Sequence, residues 1–315
     1  MRSPRLNASS RRAARFMAII VVLLLAGCRT LLFGALNTTD QRRGIEIERQ
    51  QAFAPAQHLD LDVYRPAHAA HAPVMVFFYG GDWTHGERGW YRFVGTALAA
   101  QGVITIIPDY RKYPRVRLDG FMQDAAHAVA WAHGHAAQLG GDPRDLFVMG
   151  HSSGAQIAAL LATDPTWLKA EGMSLHSLAG LIGLAGVFDF VPIPPQDAGM
   201  RNIFGSLPGE QRRADPITFV QRGDPPMLLL QGSDDHEVGA AGSVSLARKA
   251  QAVGDDAELK FYPGVGHMAL LFVLSRPLRQ HASTLCEVLT FVRAHSRTSP
   301  AGFAGTASLP RQCAQ

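Results

Sequence analysis

One segment, residues 145–162, most constrains how this chain can fold. It begins with an apolar run, residues 146–149, that has the length and composition of a buried strand, and it ends in strong helix formers over residues 155–162. Between them, residues 150–154 read Gly-His-Ser-Ser-Gly, a G-x-S-x-G pattern at a strand-to-helix turn. Glycine on both sides permits a turn sharp enough to lift the Ser152 hydroxyl towards the free N–H groups of the helix. We therefore predict that Ser152 is a nucleophile and not a serine of an ordinary strand–helix loop.

The rest of the chain alternates between strand and helix patterns. This alternation predicts an α/β fold, a mostly parallel, doubly wound sheet with helices on both faces. Further strands are predicted over residues 59–64, 74–79, 103–107, 181–187, 227–231 and 259–262, and helices over 91–100, 121–139 and 278–295. In such sheets ligands bind beyond the carboxyl ends of the strands. Five candidate residues follow strands in this way: Gly81, Asp109, Ser152, Asp235 and His267.

The charge distribution separates the first 27 residues from the remainder. The 315-residue sequence has a formal charge of +4, and residues 1–27 hold five arginines and no acidic residue. Removing these five from the 30 basic residues leaves 25 against 26 acidic ones. The remaining chain therefore gives no indication of a nucleic-acid surface. With 47% hydrophobic residues, it can bury one large core or two small ones.

The arginine-rich start has the character of an export signal. An apolar stretch of signal-peptide length, residues 16–26, follows it and is too short to span a bilayer. The stretch closes on Leu-Ala-Gly-Cys, which resembles the lipobox of bacterial lipoproteins. This resemblance implies cleavage after residue 27, acylation of Cys28 and anchoring to a lipid bilayer of the cell envelope. Arg29 in place of an aspartate favours the outer membrane, facing the periplasm. A simple secretory signal with an incidental cysteine is the alternative.

These patterns predict four regions along the chain. A signal peptide over 1–27 precedes an acylated N-terminus and tether over 28–57, which is expected to become the edge of the fold. A catalytic-type domain over 58–296 and a flexible tail over 297–315 follow. Two cysteines remain besides Cys28, and an exported protein can form disulfides. Cys286 lies in a helical pattern and Cys313 in the tail. The sequence leaves open whether these two cysteines pair.

A serine hydroxyl needs a base to remove its proton. Of the 13 histidines, His267 lies in a short loop between the last predicted strand and the last helix. The acid that orients the base should follow an intervening strand, and Asp235 fits better than the alternative, Asp189. We expect His151, next to the nucleophile, to point away from the site. Surface or loop positions are expected for five further histidines: His85, His127, His133, His135 and His236. No grouping of ligand-type residues predicts a metal site.

Several motifs in order resemble the α/β-hydrolase carboxylesterases, in the branch that includes kynurenine formamidase-like and prenylcysteine methylesterase-like enzymes. They are YGGDW, PDYRKYP, GGDPRDLFVMGHSSGA, LLLQGSDDHEV and GVGH, and the similarity covers residues 60–293. The resemblance implies Ser152 as nucleophile, His267 as base and Asp235 as the orienting acid.

The same resemblance implies an oxyanion hole made by the backbone N–H groups of Gly81, Asp82 and Ser153. Tyr79 replaces the histidine of the usual His-Gly-Gly and should keep these donors, although the loop could be braced differently. Asp82 replaces a third glycine of lipase-type relatives. Asp109 and Arg111 are expected to brace the loop.

The resemblance implies hydrolysis of small carboxylic esters through an acyl-enzyme, without a metal or organic cofactor. Two alternatives remain: cleavage of an amide or formamide by the same residues, and a non-catalytic binding protein of the same fold. Residues 188–223, rich in proline, are expected to form an irregular insertion that roofs the pocket. The identity of the substrate stays open.

Overall fold

The structure is a computed structural model, and it describes residues 30–39 and 42–297. The predicted signal peptide, Cys28 and Cys313 lie outside the described residues, as does the predicted tail from residue 298 onwards. Within the described ranges, no helix has the length and apolar character that crossing a bilayer requires.

The described part of the chain is built around an eight-stranded sheet with the strand order β1-β2-β4-β3-β5-β6-β7-β8. Strand β2 runs antiparallel to β1 and β4, and all other neighbours are parallel. The strands are β1 (Ile45–Ala54), β2 (Leu59–Pro66), β3 (Ala72–Phe78), β4 (Ile104–Pro108), β5 (Gly141–His151), β6 (Gly180–Leu184), β7 (Met227–Gly232) and β8 (Ala257–Tyr262).

Ten α-helices accompany the sheet in the described residues. They are α1 (residues 30–38), α2 (Arg92–Ala99), α3 (Leu118–His135), α4 (Ser153–Thr163), α5 (Pro165–Ala170), α6 (Ala198–Phe204), α7 (Pro208–Ala214), α8 (Ala241–Val253), α9 (His267–Phe272) and α10 (Thr284–His295). The chain moves from β3 through α2 to β4 in one direction along the sheet, and from β5 through α4 to β6 in the other. Because crossovers between parallel strands are right-handed, helices cover both faces. The predicted α/β fold is confirmed.

The centre of the sheet follows from its continuous apolar runs. Every residue of β3, β6 and β7 is buried, as expected for parallel strands covered on both faces. Direction along the sheet reverses between β3 and β5, and a crevice opens at the carboxyl ends of such strands. The turn after β3 and the turn after β5 therefore meet at the same edge of the sheet.

The segment expected to be a tether, residues 28–57, contains two structured elements. Strand β1 pairs with β2 at the edge of the sheet, and α1 buries Phe33 and Leu36. The sequence obscured β1 because its residues are mostly exposed or half-buried and several are charged, as is common at a sheet edge. The folded unit therefore begins well before residue 58.

The C-terminal region differs from prediction in one respect. The helix expected over 278–295 is divided into a 3₁₀ turn at Arg279–His281 and α10, because Ala282 is extended (φ −158°, ψ 150°). Cys286 in α10 is disulfide-bonded. The other two cysteines, Cys28 and Cys313, lie outside the described residues, so the partner of Cys286 lies there too.

Candidate active site

The turn between β5 and α4 holds Ser152 in a strained backbone conformation. Its φ of 56° and ψ of −126° are rare for a residue with a side chain. The glycines on either side are required by space: a Cβ on Gly150 would lie 2.1 Å from the Gly154 carbonyl oxygen, and one on Gly154 would lie 2.1 Å from that of Phe78. The Ser152 N–H donates to the Leu184 carbonyl at 2.9 Å, which fixes the turn to the end of β6. This is the sharp elbow that the sequence predicted.

His267 begins α9 directly after the loop that follows β8. Its Nδ1 lies 2.8 Å from Oδ2 of Asp235, and both side chains are almost fully buried. The other carboxylate oxygen, Oδ1, accepts hydrogen bonds from the N–H groups of Glu237 (3.0 Å) and Val238 (2.8 Å). The amide of Gln231 donates to Oδ2 at 3.1 Å. The carboxylate is thus oriented on both sides, and an acceptor at Nδ1 leaves Nε2 of His267 as the free basic nitrogen.

Asp189, the alternative acid, lies elsewhere. It is an exposed residue whose backbone nitrogen lies close to Gly242. The partner of His267 in the structure is Asp235.

His151 does not point away from the site, contrary to the sequence-based expectation. Its ring centroid is 4.6 Å from that of His267, and its Nε2 lies 3.1 Å from the His267 carbonyl oxygen. Since a carbonyl can only accept, Nε2 carries the proton. Burial, together with the neighbouring His267, lowers the pKa of His151 to about 3. His151 is therefore a neutral ring that supports the first turn of α9.

The loop after β3 carries three successive positive φ values. They are 135° at Gly81, 52° at Asp82 and 56° at Trp83. The Gly81 carbonyl accepts from the N–H groups of Thr84 (2.9 Å) and His85 (3.0 Å), which closes a tight turn. A Cβ at Gly81 would lie 2.3 Å from the His85 carbonyl oxygen, so only glycine fits there.

Tyr79, which replaces the histidine of the related motif, braces this loop from its first residue. Its hydroxyl donates to Asp109 Oδ1 at 2.7 Å, and its ring stacks on those of Tyr91 and Tyr110. Burial, followed by the charge of Asp109, raises the pKa of Tyr79 well above its usual value, so the phenol keeps its proton. Asp109 therefore braces the loop as expected. Arg111 does not, because it pairs with Asp124 on α3.

Two further residues, for which no role was predicted, hold the loop in place. The indole N–H of Trp83 donates to Oε1 of Gln156 at 2.9 Å, and Gln156 Nε2 donates to the Ala214 carbonyl at 2.7 Å. Gln156 is fully buried in α4. It thus connects the loop after β3 to the nucleophile helix and to α7, which belongs to the segment expected to roof the pocket.

Two cavities meet at Ser152. The larger cavity, about 490 Å³, extends under α6 and is lined by residues of the predicted roof, including Phe188, Phe190, Met200 and Ile203. The smaller cavity, about 380 Å³, is the one that His267 lines. Three residues, Asp82, Ser152 and Glu237, lie on the boundary of both. A molecule whose reacting carbon lies at Ser152 can therefore place one of its two groups in each cavity.

No group of three or more histidine, cysteine or acidic side chains is arranged to hold a metal ion in the part of the chain that the structure describes.

The fold and the serine elbow define an α/β-hydrolase. Within this class, the chain belongs to the BD-FAE family, whose model matches residues 61–250. It is 30% identical over 253 residues to the isoprenylcysteine alpha-carbonyl methylesterase ICME of Arabidopsis thaliana, covering 74% of this chain and 59% of the relative. It is 32% identical over 231 residues to esterase LipC of Mycobacterium tuberculosis, covering 68% of this chain and 57% of that relative. The chain thus spans less than two thirds of the length of these curated relatives.

Solved structures agree on the fold. A phosphonate-inhibited esterase B of Lactobacillus rhamnosis superposes with a TM-score of 0.71 at 21% identity, over 87% of this chain and 94% of that one.

Proposed function

We propose that this chain is a carboxylesterase-type serine hydrolase in which Ser152, His267 and Asp235 form the catalytic triad. The observation that carries the proposal is the buried 2.8 Å contact between His267 Nδ1 and Asp235 Oδ2 at a cavity that Ser152 also lines. The relatives named above are a methylesterase and an esterase, which supports the same chemistry.

The first half of the reaction forms an acyl-enzyme. His267 Nε2 takes the hydroxyl proton of Ser152 while the serine oxygen attacks the ester carbonyl carbon. Asp235 keeps the proton of His267 on Nδ1 and stabilises the imidazolium that results. The carbon–oxygen bond to the alcohol then breaks, and His267 returns the proton to the departing alcohol oxygen. In the second half, water attacks the acyl-enzyme by the same route and releases the acid.

The developing negative charge on the carbonyl oxygen needs preorganised donors. We assign this role to the backbone N–H groups of Gly81, Asp82 and Ser153. Ser153 is the first residue of α4, so its N–H has no acceptor within its own helix. The positive φ values of Gly81 and Asp82 set the loop conformation that would present the other two.

The catalytic proposal is tested with a substrate panel. The full chain is assayed against p-nitrophenyl esters of graded acyl length and against N-formylkynurenine. Esters are expected to turn over faster, because the named relatives act on esters. Faster cleavage of the formamide would favour the alternative amide chemistry, and absence of all turnover would favour a non-catalytic binding protein.

The nucleophile is tested by labelling with an organophosphonate ester. Label is expected on the wild type and on Ser153→Ala, but not on Ser152→Ala. Ser153 contributes its backbone N–H, which alanine keeps, so that variant should retain much of its activity. Removing a triad residue leaves only about 10³–10⁴-fold catalysis over water. Label that persists in Ser152→Ala would contradict the assignment.

We also propose that the chain is a lipoprotein anchored through acylated Cys28 in the bacterial envelope, at the outer membrane. The support is the sequence pattern of residues 1–28 alone. Cys28→Ser should release the protein from the membrane fraction or leave it uncleaved. An unchanged membrane fraction with unchanged mass would contradict this.

A further inference from the structure

We infer that helix α1, which precedes the residues matched by the family model, forms the outer wall of the smaller cavity and selects an apolar leaving alcohol. This inference rests on the proposed esterase function, because it assigns the smaller cavity to one half of an ester.

One aromatic side chain at the centre of α1 packs this helix against the rest of the fold. Phe33 is 4% exposed and stacks on Trp90 with a centroid distance of 5.2 Å. It also contacts the rings of Tyr91 (5.1 Å) and Phe93 (6.5 Å), and the edge of Phe272 on α9 (5.7 Å). This one side chain thus packs against both the segment before α2 and the helix that begins with His267.

A second contact fixes the C-terminal end of α1. Asn37 is buried, and its Nδ2 donates to the Gly89 carbonyl at 3.0 Å while its Oδ1 accepts from the Phe93 N–H at 3.1 Å. A side-chain amide that hydrogen-bonds both a backbone carbonyl and a backbone N–H fixes the position of its helix relative to that backbone. Helix α1 is therefore packed against the fold and is not a loosely attached segment.

The wall that α1 provides is apolar. Leu32 and Phe33 line the smaller cavity, and the other apolar lining residues are Trp90, Tyr91, Met268 and Phe272. Among its described lining residues there is no lysine or arginine, and its two carboxylates, Asp82 and Glu237, lie on the boundary with the larger cavity. Such a lining favours a neutral hydrocarbon or aromatic group and disfavours a charged one.

The position of His267 decides which half of the ester this cavity takes. The leaving oxygen must receive a proton from His267, so the alcohol must lie on the side of that histidine. His267 lines the smaller cavity and is absent from the lining of the larger one. The smaller cavity is accordingly the alcohol site, and the larger cavity under α6 receives the acyl group.

The inference is tested on the full chain with two ester series. In one, the acid is always acetate and the alcohol grows from ethyl to butyl, benzyl and naphthylmethyl. In the other, the alcohol is always p-nitrophenol and the acyl chain grows. Two variants change the wall in opposite directions: Phe33→Ala enlarges the cavity, and Leu32→Trp, at a position 47% exposed, narrows it. Leu31→Ala is the control, since Leu31 is on the same helix, 75% exposed and absent from the lining.

We expect Phe33→Ala to raise kcat/KM for naphthylmethyl acetate relative to ethyl acetate by about tenfold or more, and Leu32→Trp to lower the same ratio. The acyl series should keep its wild-type ratios in both variants, and Leu31→Ala should keep both series. Should Phe33→Ala fail to fold, the Leu32→Trp ratio decides alone. Active variants with an unchanged alcohol series, or with only the acyl series altered, would overturn the inference while leaving the esterase function standing. No hydrolysis and no phosphonate label on the wild type would instead remove the function itself.

Discussion

At the scale of single residues, the site depends on groups whose neighbours hold them in one protonation state or one orientation. Asp235 accepts from His267, Gln231 and two backbone N–H groups, whereas Asp189 is exposed on the cavity wall. His151 is kept neutral by burial. Substitution of either group should therefore have a specific, measurable effect.

Asp235→Asn should lower kcat by about 10⁴, because an amide cannot hold the imidazole in the required tautomer. Asp189→Asn is the matched control, and we expect a change of less than about tenfold, since this carboxylate does not contact His267. Both rates are measured on variants with unchanged circular dichroism. The opposite ranking would transfer the orienting role to Asp189.

His151 should make folding stability depend on pH. Its folded pKa of about 3 lies below the unfolded value of 6.5, so the unfolded chain binds the proton first as the pH falls. The contribution of the neutral His151 ring to the free energy of unfolding is therefore fully present well above pH 6.5. It falls progressively below that pH, by about 2 kcal/mol at pH 5.

Replacing the ring should remove this dependence. The free energy of unfolding of His151→Gln, measured in urea at pH 8 and pH 5, should fall less between the two than that of the wild type. His236→Gln, at an exposed position, should behave as the wild type does. Equal falls in His151→Gln and wild type would show that His151 titrates normally.

At the scale of elements, the elbow requires α4 to approach β3 closely. The Gly154 Cα faces the Phe78 carbonyl oxygen with no room for a methyl group. Gly134, near the end of α3, has no atom within 4 Å of the place where a Cβ would stand. The two glycines thus differ in packing although both lie in helices.

Gly154→Ala should destabilise the protein by about 1–3 kcal/mol or more through overpacking. It should also reduce activity, because Ser152 directly precedes α4. Gly134→Ala should be neutral or stabilising by up to about 1 kcal/mol, since alanine loses less backbone entropy in a helix. Thermal unfolding of both variants measures the contrast. Equal effects would contradict the close approach of α4 to β3.

At the scale of the whole molecule, Arg88 connects distant parts of the chain. Its guanidinium donates to Asp62 on β2 at 2.9 Å and pairs with Asp109, which follows β4 and holds Tyr79. Asp60, also on β2, lies 3.6 Å from the same guanidinium. Burial opposes the charged form of Arg88, but its contacts with Asp62 and Asp109 outweigh that effect and raise its pKa. The antiparallel edge of the sheet and the loop after β3 are therefore held by one charge cluster.

Arg88→Met should cost about 3–5 kcal/mol of unfolding free energy, because it leaves the buried carboxylate of Asp62 without its cation. Adding Asp62→Asn should recover part of the loss. The matched control is Arg213→Met, whose pairing with Asp119 is exposed on both sides and should contribute less than about 1 kcal/mol. Denaturant unfolding measures all three variants. A loss no larger than that of Arg213→Met would show that the cluster contributes little.

The sequence alone determined the fold class and the order of the central strands along the chain. Both follow from local information: a continuous apolar run predicts a buried strand, and glycines on both sides of a serine allow the sharp turn between a strand and a helix. Each of the seven strands predicted from the sequence overlaps an observed strand, and β1 is the one strand of the described sheet that was not predicted. The positions of Ser152, Asp235 and His267 at strand ends came from the same local patterns, and their catalytic roles stay a prediction.

Tertiary structure alone decided how residues far apart in the chain meet. Phe33 lines the cavity beside Ser152, Gln156 connects Trp83 to α7, and His151 packs on His267. No local pattern predicted any of these contacts. Residues 28–57, expected to be a tether, contain α1 and β1 for the same reason. Each of these two elements is stabilised by contacts with partners elsewhere in the chain. Local periodicity shows which segments are buried, but packing decides which side chains share a cavity.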